Sequence, residues 1–277
     1  MPELTVSMPA RNAARHVQDA LQSVLREQAV EIQVVVVDDA STDDTAERVT
    51  TLADSRIRLL RTAVRRGIGW CHNQALRHST APFVAHVDAD DLVVPGALPR
   101  MVAALRAAPR AGQAYCDFVV TASDGQVTEE LSEKWRRFFE RARKPPIDHR
   151  RQLLTYGMTV NHLRTYRREA LDDIGGFDEE LPWAVDYDAA LRLAERWEFV
   201  HVAAPLYIKR VLADGASESV RLKGGRFWAM RWRLARRALR RNGGRLMGLS
   251  SPHVHALLLV GLLDATGAPD AVRQLRR

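Results

Sequence analysis

Cysteine is nearly absent: Cys71 and Cys116 are the only two in 277 residues. That excludes a disulfide framework and a cysteine-built metal cluster, and reduced thiols in a cytoplasm are expected. Lysine is scarce, at positions 134, 144, 209 and 223 only. Long apolar runs are missing too, since residues 34–37 and 256–263 are the longest and neither could cross a bilayer. No basic and then apolar leader precedes "LTVSMPA", so no signal peptide is expected. The body has no basic surface motif interleaved with aromatics, which argues against a nucleic-acid partner. What the chain does have is 46% hydrophobic residues and no low-complexity tract, enough for a sizeable globular core.

The net charge of +7 sits at one end. Residues 220–277 hold 13 basic side chains against Asp264 and Asp270, while residues 1–219 carry a net −4. On a wheel of about 100° per residue, Arg226, Arg233, Arg236, Arg237 and Arg240 share one arc. Phe227, Trp228, Met230, Trp232, Leu234, Ala235, Ala238 and Leu239 fill the other, with Arg231 and Arg241 intruding. Such a helix suits an anionic membrane surface. It equally suits packing of its apolar face on the body or on a second subunit of a homodimer.

The first 120 residues alternate strand and helix. "LTVSMPA" reads as a strand, and Val17, Leu21, Val24 and Leu25 recur at helical spacing. "EIQVVVVDDA" is a continuous β-branched run, the pattern of a strand buried on both faces. A capped helix, the strand "RIRLLRT", the helix "GIGWCHNQALRHS" and the strand "PFVAHVDAD" follow, then a helix after Pro95 and the strand "QAYCDFVVT". The alternation predicts an α/β fold with an open, mostly parallel sheet. Farther on, "ASDGQVTEE" reads as a hairpin turn, "LSEKWRRFFERARK" as a charged helix and "PPIDH" as a loop. A helix is expected near Asp186, and "EFVHVAAPLYIKRVL" offers two short strands.

Ligands in such sheets bind outside the carboxyl ends of the strands. "PARN", "DDAS" and "DADD" fall there, after the first, second and fourth strands. Asp88, Asp90 and Asp91 crowd three carboxylates into four positions. A hard divalent ion, Mn²⁺ or Mg²⁺, would relieve that repulsion, with a substrate diphosphate completing its shell. Capping of the helix after Pro95 is the competing reading. Asp38 and Asp39 could accept hydrogen bonds from a base or ribose, or cap the helix at "STDD".

"VSMPARN", "VVVVDDASTDDT", "GIGWCHNQAL", "VDADDLVVPGAL" and "IGGFDEELPWAVDYDAALRL" stand in one order over residues 4–212. In that order and spacing the chain resembles family 2 glycosyltransferases, which have the GT-A fold and are typically inverting and metal-dependent. The charge distribution gives a basic helical tail at 220–277, and the resemblance implies a nucleotide-sugar half at 1–118 and an acceptor-side half of the same domain at 119–219. It implies that Pro9, Ala10, Arg11, Asn12 and His72 line the nucleotide pocket and that Asp39 contacts the base. Asp88 or Asp90, with Ala89 between them, would serve the ribose, and Asp90 or Asp91 the metal.

Asp186 is the implied catalytic base, and general-base chemistry requires one such carboxylate. Asp188 is its rival, although two positions along a helix it faces elsewhere. His162 and Trp183 are acceptor-side candidates. The expected donor is a UDP-linked sugar. The acceptor is a sugar, a lipid-linked or a small molecule, and the expected location is cytoplasmic, extending to the inner membrane surface through residues 222–241.

The sequence departs from the family at Arg11, where an aromatic is common, at His72, where an arginine is common, and at Leu212, where a histidine often stands. These departures keep open a catalytically impaired nucleotide-binding module. A receiver-type signalling domain also has an acidic pair after a buried strand. That fold opens on the acidic strand, however, and here a strand and helix precede it.

Overall fold

The computed structural model describes residues 1–122, 148–211, 224–246 and 249–265, with 133, 136 and 140 singly. The calls on "ASDGQVTEE", on most of "LSEKWRRFFERARK", on most of "PPIDH" and on Leu212 lie outside these residues.

Four parallel strands make the first half: β1 (Leu4–Ala10), β2 (Ile32–Asp38), β3 (Ile57–Arg61) and β4 (Phe83–His86). Between them run α1 (Val17–Leu25), α2 (Thr45–Thr51) and α3 (Ile68–Arg77). Val34 to Val37 are all fully buried, which is why β2 shows no polar alternation: helices cover both faces of a parallel sheet. On α1, Val17, Ala20, Leu21 and Val24 form the buried stripe, at the i, i+3, i+4, i+7 spacing of an amphipathic helix.

The chain continues through β5 (Leu92–Val93), α4 (Ala97–Ala107), β6 (Ala111–Thr121), α5 (His149–Tyr156), β7 (Thr165–Arg167), α6 (Arg168–Asp173), α7 (Val185–Leu193) and β8 (Glu198–Arg210). The eight strands form one sheet in the order β3-β2-β1-β4-β7-β6-β8-β5, with β7 antiparallel to both its neighbours and β5 antiparallel to β8. The 198–210 segment, expected as two short strands, is one strand. Its pairing with β6 is parallel but shifts register around Cys116 and Asp117, where Asp117 pairs with Pro205. Proline has no N–H for the ladder, so the shift lets the strand bend without ending.

Two motifs noted separately in the sequence meet in space. Asn73 on α3 donates from Nδ2 to the Phe177 carbonyl and accepts the Phe177 N–H at Oδ1, each at 2.8 Å. Gly176 sits at φ +72, and a Cβ there would lie 2.6 Å from Asn73 Oδ1. Only glycine tolerates both the left-handed backbone and that approach. The clamp fixes the turn that leads into α7.

The tail forms α8 (Gly224–Arg241), the strands β9 (Arg245–Leu246) and β10 (Leu249–Ser250), and α9 (Ser251–Ala265). Met230, Leu234, Ala235, Ala238 and Leu239 of α8 are buried in one apolar cluster with Leu153, Tyr187 and Leu191. The packing alternative for the tail is therefore the one this face adopts. Arg231, the intruder on the apolar arc, is buried and donates to the Leu154 carbonyl at 2.6 Å. Arg237 pairs with Asp178 at 2.8 Å, tying the tail to the same turn that Asn73 holds. No helix among the described residues is long and apolar enough to cross a membrane.

Candidate active site

Parallel register brings the ends of β1, β2 and β4 to one edge, with Ala10 opposite Asp38 and Ser7 opposite His86. The loops after β1 and β2 are stitched together. Arg11 donates to the carbonyls of Asp39 (2.7 Å) and Ala40 (3.1 Å), and Asn12 Oδ1 accepts the Thr42 N–H at 2.9 Å. Asp39 accepts backbone N–H groups of Arg66 (2.6 Å) and Gly67 (2.9 Å), so it organises the entry to α3. Asp38 is buried, capping Ser41 N–H at 3.0 Å and meeting Arg61 at 3.3 Å. Pro9, half-buried, and Ala10, buried, end β1 at this edge.

His72, expected to line the nucleotide pocket, is buried in the core, with Nδ1 2.9 Å from Ser7 Oγ and its ring stacked on His86 at 3.6 Å and 4°. Burial, with Arg164 adding, pushes its pKa down to about 3, against a smaller upward pull from Asp88. The unfolded chain therefore binds a proton at His72 that the folded chain refuses, and stability falls as pH drops below about 6.5. We expect His72→Gln to flatten the melting-temperature profile between about pH 6.5 and 4, where the unmodified protein loses about 1.4 kcal/mol per pH unit from this residue. Parallel profiles for the two proteins in thermal melts would refute it.

The acids after β4 lie on a tight turn. The Asp91 N–H bonds to the Asp88 carbonyl at 3.1 Å, a four-residue reversal that brings the first and fourth residues together. Among the described residues, the group that could hold a metal is Asp88, Asp91 and His162, whose ligand atoms lie within 4.8 Å of one another. Asp90 is not in it, and His162, expected on the acceptor side, is. His162 is held by stacking on Tyr207 (4.7 Å, 4°) and edge-on by Phe118.

The carboxylate oxygens suit Mn²⁺ or Mg²⁺, and the local chemistry fits a cation. Asp91 is fully buried, and its Oδ2 has no hydrogen-bond partner. Burial pushes its carboxyl up to about 8, with Lys209 opposing and Asp88 and Asp90 adding to the rise. Burial and Asp88 also push Asp90 up. His162 is pushed well down, first by burial and then by Lys209 and Arg164, which keeps the ring neutral as a ligand must be.

Arg164 is buried just before β7. Its Nη1 lies 2.7 Å from Asp186 Oδ2 and its Nη2 3.7 Å from Asp88 Oδ1. Asp186 occupies the first turn of α7 and also accepts the Tyr187 N–H at 2.8 Å. A residue nearly a hundred positions from "DADD" thus joins the same cluster. Asp188 does not: it is buried against Arg192 at 2.7 Å, and Arg192 reaches the carbonyls of Ile174 and Gly176. It braces α7 against the Gly175–Gly176 turn. Trp183 is half-buried on the second apolar cluster. Lys209 is the other residue sequence reasoning missed, with Nζ 4.0 Å from Asp91 Oδ2. Period-2 spacing gives the signal, since Tyr207 and Lys209 share a face of β8 and the Tyr207 hydroxyl accepts the Asp88 N–H at 3.1 Å.

Known proteins share this fold. The fold is that of S. aureus TarS 1-349 in complex with UDP-GlcNAc (TM-score 0.69, 19% identity, 94% of this chain and 71% of that one). It is also that of the Pyrobaculum calidifontis mannosyltransferase PcManGT in complex with GDP-Man and Mn²⁺ (TM-score 0.65, 22% identity, 96% and 76%). A chondroitin synthase of Pasteurella multocida is 26% identical over 219 residues, or 78% of this chain, which spans only 21% of the synthase. The pattern of "Glycosyl transferase family 2" matches residues 5–175, well over half of the chain. With that match, the GT-A fold and the acidic cluster at the strand ends, the chain belongs to glycosyl transferase family 2.

Proposed function

We propose that the chain transfers a sugar from a nucleoside-diphosphate sugar, UDP-linked in the first instance, to an acceptor hydroxyl with inversion. The Arg164 bridge carries this reading, because it joins Asp186 to the Asp88 side of the strand-end cluster. As the acceptor oxygen bonds to the anomeric carbon, the bond from that carbon to the diphosphate breaks and Asp186 takes the acceptor proton. One displacement inverts the centre, as in inverting hydrolases with water as acceptor. A divalent ion on Asp88, Asp91 and His162 would supply Lewis-acid neutralisation of the leaving diphosphate. Arg164 holds the Asp186 carboxylate toward the cluster, and Asp39 and the Arg11 loop shape the donor's base end. The UDP-GlcNAc of TarS and the GDP-Man and Mn²⁺ of PcManGT support the donor class.

The test is thermal stabilisation by a panel of UDP- and GDP-sugars with and without Mn²⁺. One donor is expected to raise the melting temperature by several degrees, about 2–4 °C per kcal/mol of binding, and Asp88→Asn to remove the Mn²⁺-dependent increment. No stabilisation by any donor would sink the reading.

Membrane contact is proposed as purely electrostatic. The exposed residues of α8 include Arg233, Arg236 and Arg240, three or four apart on one face, while the apolar face is covered. Sedimentation with anionic but not neutral vesicles, lost at high salt, is the expected result. Equal recovery with neutral vesicles would overturn it.

A further inference from the structure

The acidic cluster already contains cations of its own. Arg164 meets Asp88 and Asp186, Arg210 bonds the Asp90 carbonyl (3.3 Å) from its side chain and Asp91 Oδ1 (2.7 Å) from its backbone N–H, and Lys209 faces Asp91 Oδ2. Lys209 differs from the other two in distance: at 4.0 Å its ammonium is within ion-pair range of Asp91 Oδ2 but beyond a hydrogen bond. Asp91 Oδ2 has no hydrogen-bond partner, and an Asp91 carboxylate oxygen lies within 4.8 Å of ligand atoms of Asp88 and His162. A fixed positive charge and a divalent ion would then share one carboxylate.

We propose that Lys209 is a resident counter-cation of the donor-diphosphate pocket, sustaining nucleotide binding without a divalent ion and weakening the site for metal. The inference rests on the donor-site reading above. Its physical basis is charge placement. A buried carboxylate needs a positive neighbour, and in a metal-free pocket that neighbour also attracts an incoming diphosphate. The same charge repels a dication bound to the same oxygens. Loss of Lys209 therefore moves two affinities in opposite directions, whereas a residue that merely supported the fold would lower both.

Calorimetric titrations of the full chain use UDP and GDP in chelator, and Mn²⁺ alone. The unmodified protein is expected to bind one of the nucleotides in chelator. Lys209→Met should weaken that binding at least about tenfold while tightening Mn²⁺ by a similar factor, the effect of one unit charge a few ångströms away. Lys209→Arg should stay near the unmodified values. Should Lys209→Met fail to fold, Lys209→Met with Asp91→Asn removes both charges, and its chelator-resistant nucleotide binding is compared with that of Asp91→Asn alone. A tenfold loss there supports the role, and equal affinity overturns it. Nucleotide binding that appears only with Mn²⁺, or a Lys209→Met protein unchanged in both titrations, overturns the role of Lys209 and leaves the donor site standing. No nucleotide binding under either condition overturns the donor site and this inference together.

Discussion

Asp186→Asn is expected to lower kcat for sugar transfer by about 10²–10⁴, the usual worth of a positioned general base, with donor binding nearly unchanged. Asparagine keeps the shape, but Arg164 and the Tyr187 N–H bond different oxygens of Asp186, so its single amide oxygen can accept from only one of them. What it cannot do is take the acceptor proton. The Asp186 side chain is partly open, at 32% exposure, while its partner Arg164 is at 7%, an arrangement that would leave room for an acceptor. Steady-state kinetics with the donor found in the stabilisation panel, alongside its binding constant, separates the two effects. Full transfer activity in Asp186→Asn would remove the base assignment. Equal inactivity of the unmodified protein and the variant, with donor binding intact in both, would favour the impaired binding module.

Arg164→Met is expected to cost both stability and activity. Its guanidinium is buried, and opposite charges at Asp186 and Asp88 push its pKa up against the opposing effect of burial. Removing one partner of a buried ion pair leaves uncompensated charge and costs about 3–5 kcal/mol. Asp186 and Asp88 are partly solvated, at 32% and 27%, so the lower end applies, a fall in melting temperature of about 6–12 °C. Arg164→Lys gives the discriminating readout. A lysine restores a positive charge but not the two-pronged geometry that reaches both acids, so it should recover most of the stability and little of kcat. If Lys restores both in full, Arg164 acts through charge alone and its geometric bridging role fails.

Much of the nucleotide half was legible because its signals are local. The β-branched run of β2, the α1 stripe and the polar strand ends each depend on a few consecutive residues, and parallel pairing turns that order into one edge. The glycine turn before α7 was legible too. Its reason was not, because Asn73 approaches it from more than a hundred residues away.

Composition and motif order by themselves determined the α/β class, the family and the polar strand ends that meet at one edge. The tertiary structure alone decided which acids come together: the turn at Asp88–Asp91 brings first and fourth to His162 and leaves Asp90 out of that group. It also moved His72 into the core, moved His162 to the acids, and covered the apolar face of α8. Arg164 and Lys209 emerged only there. A buried charge is legible only beside the charge it balances, and those partners are brought together by strand pairing across long stretches of chain, which no local pattern of residues encodes.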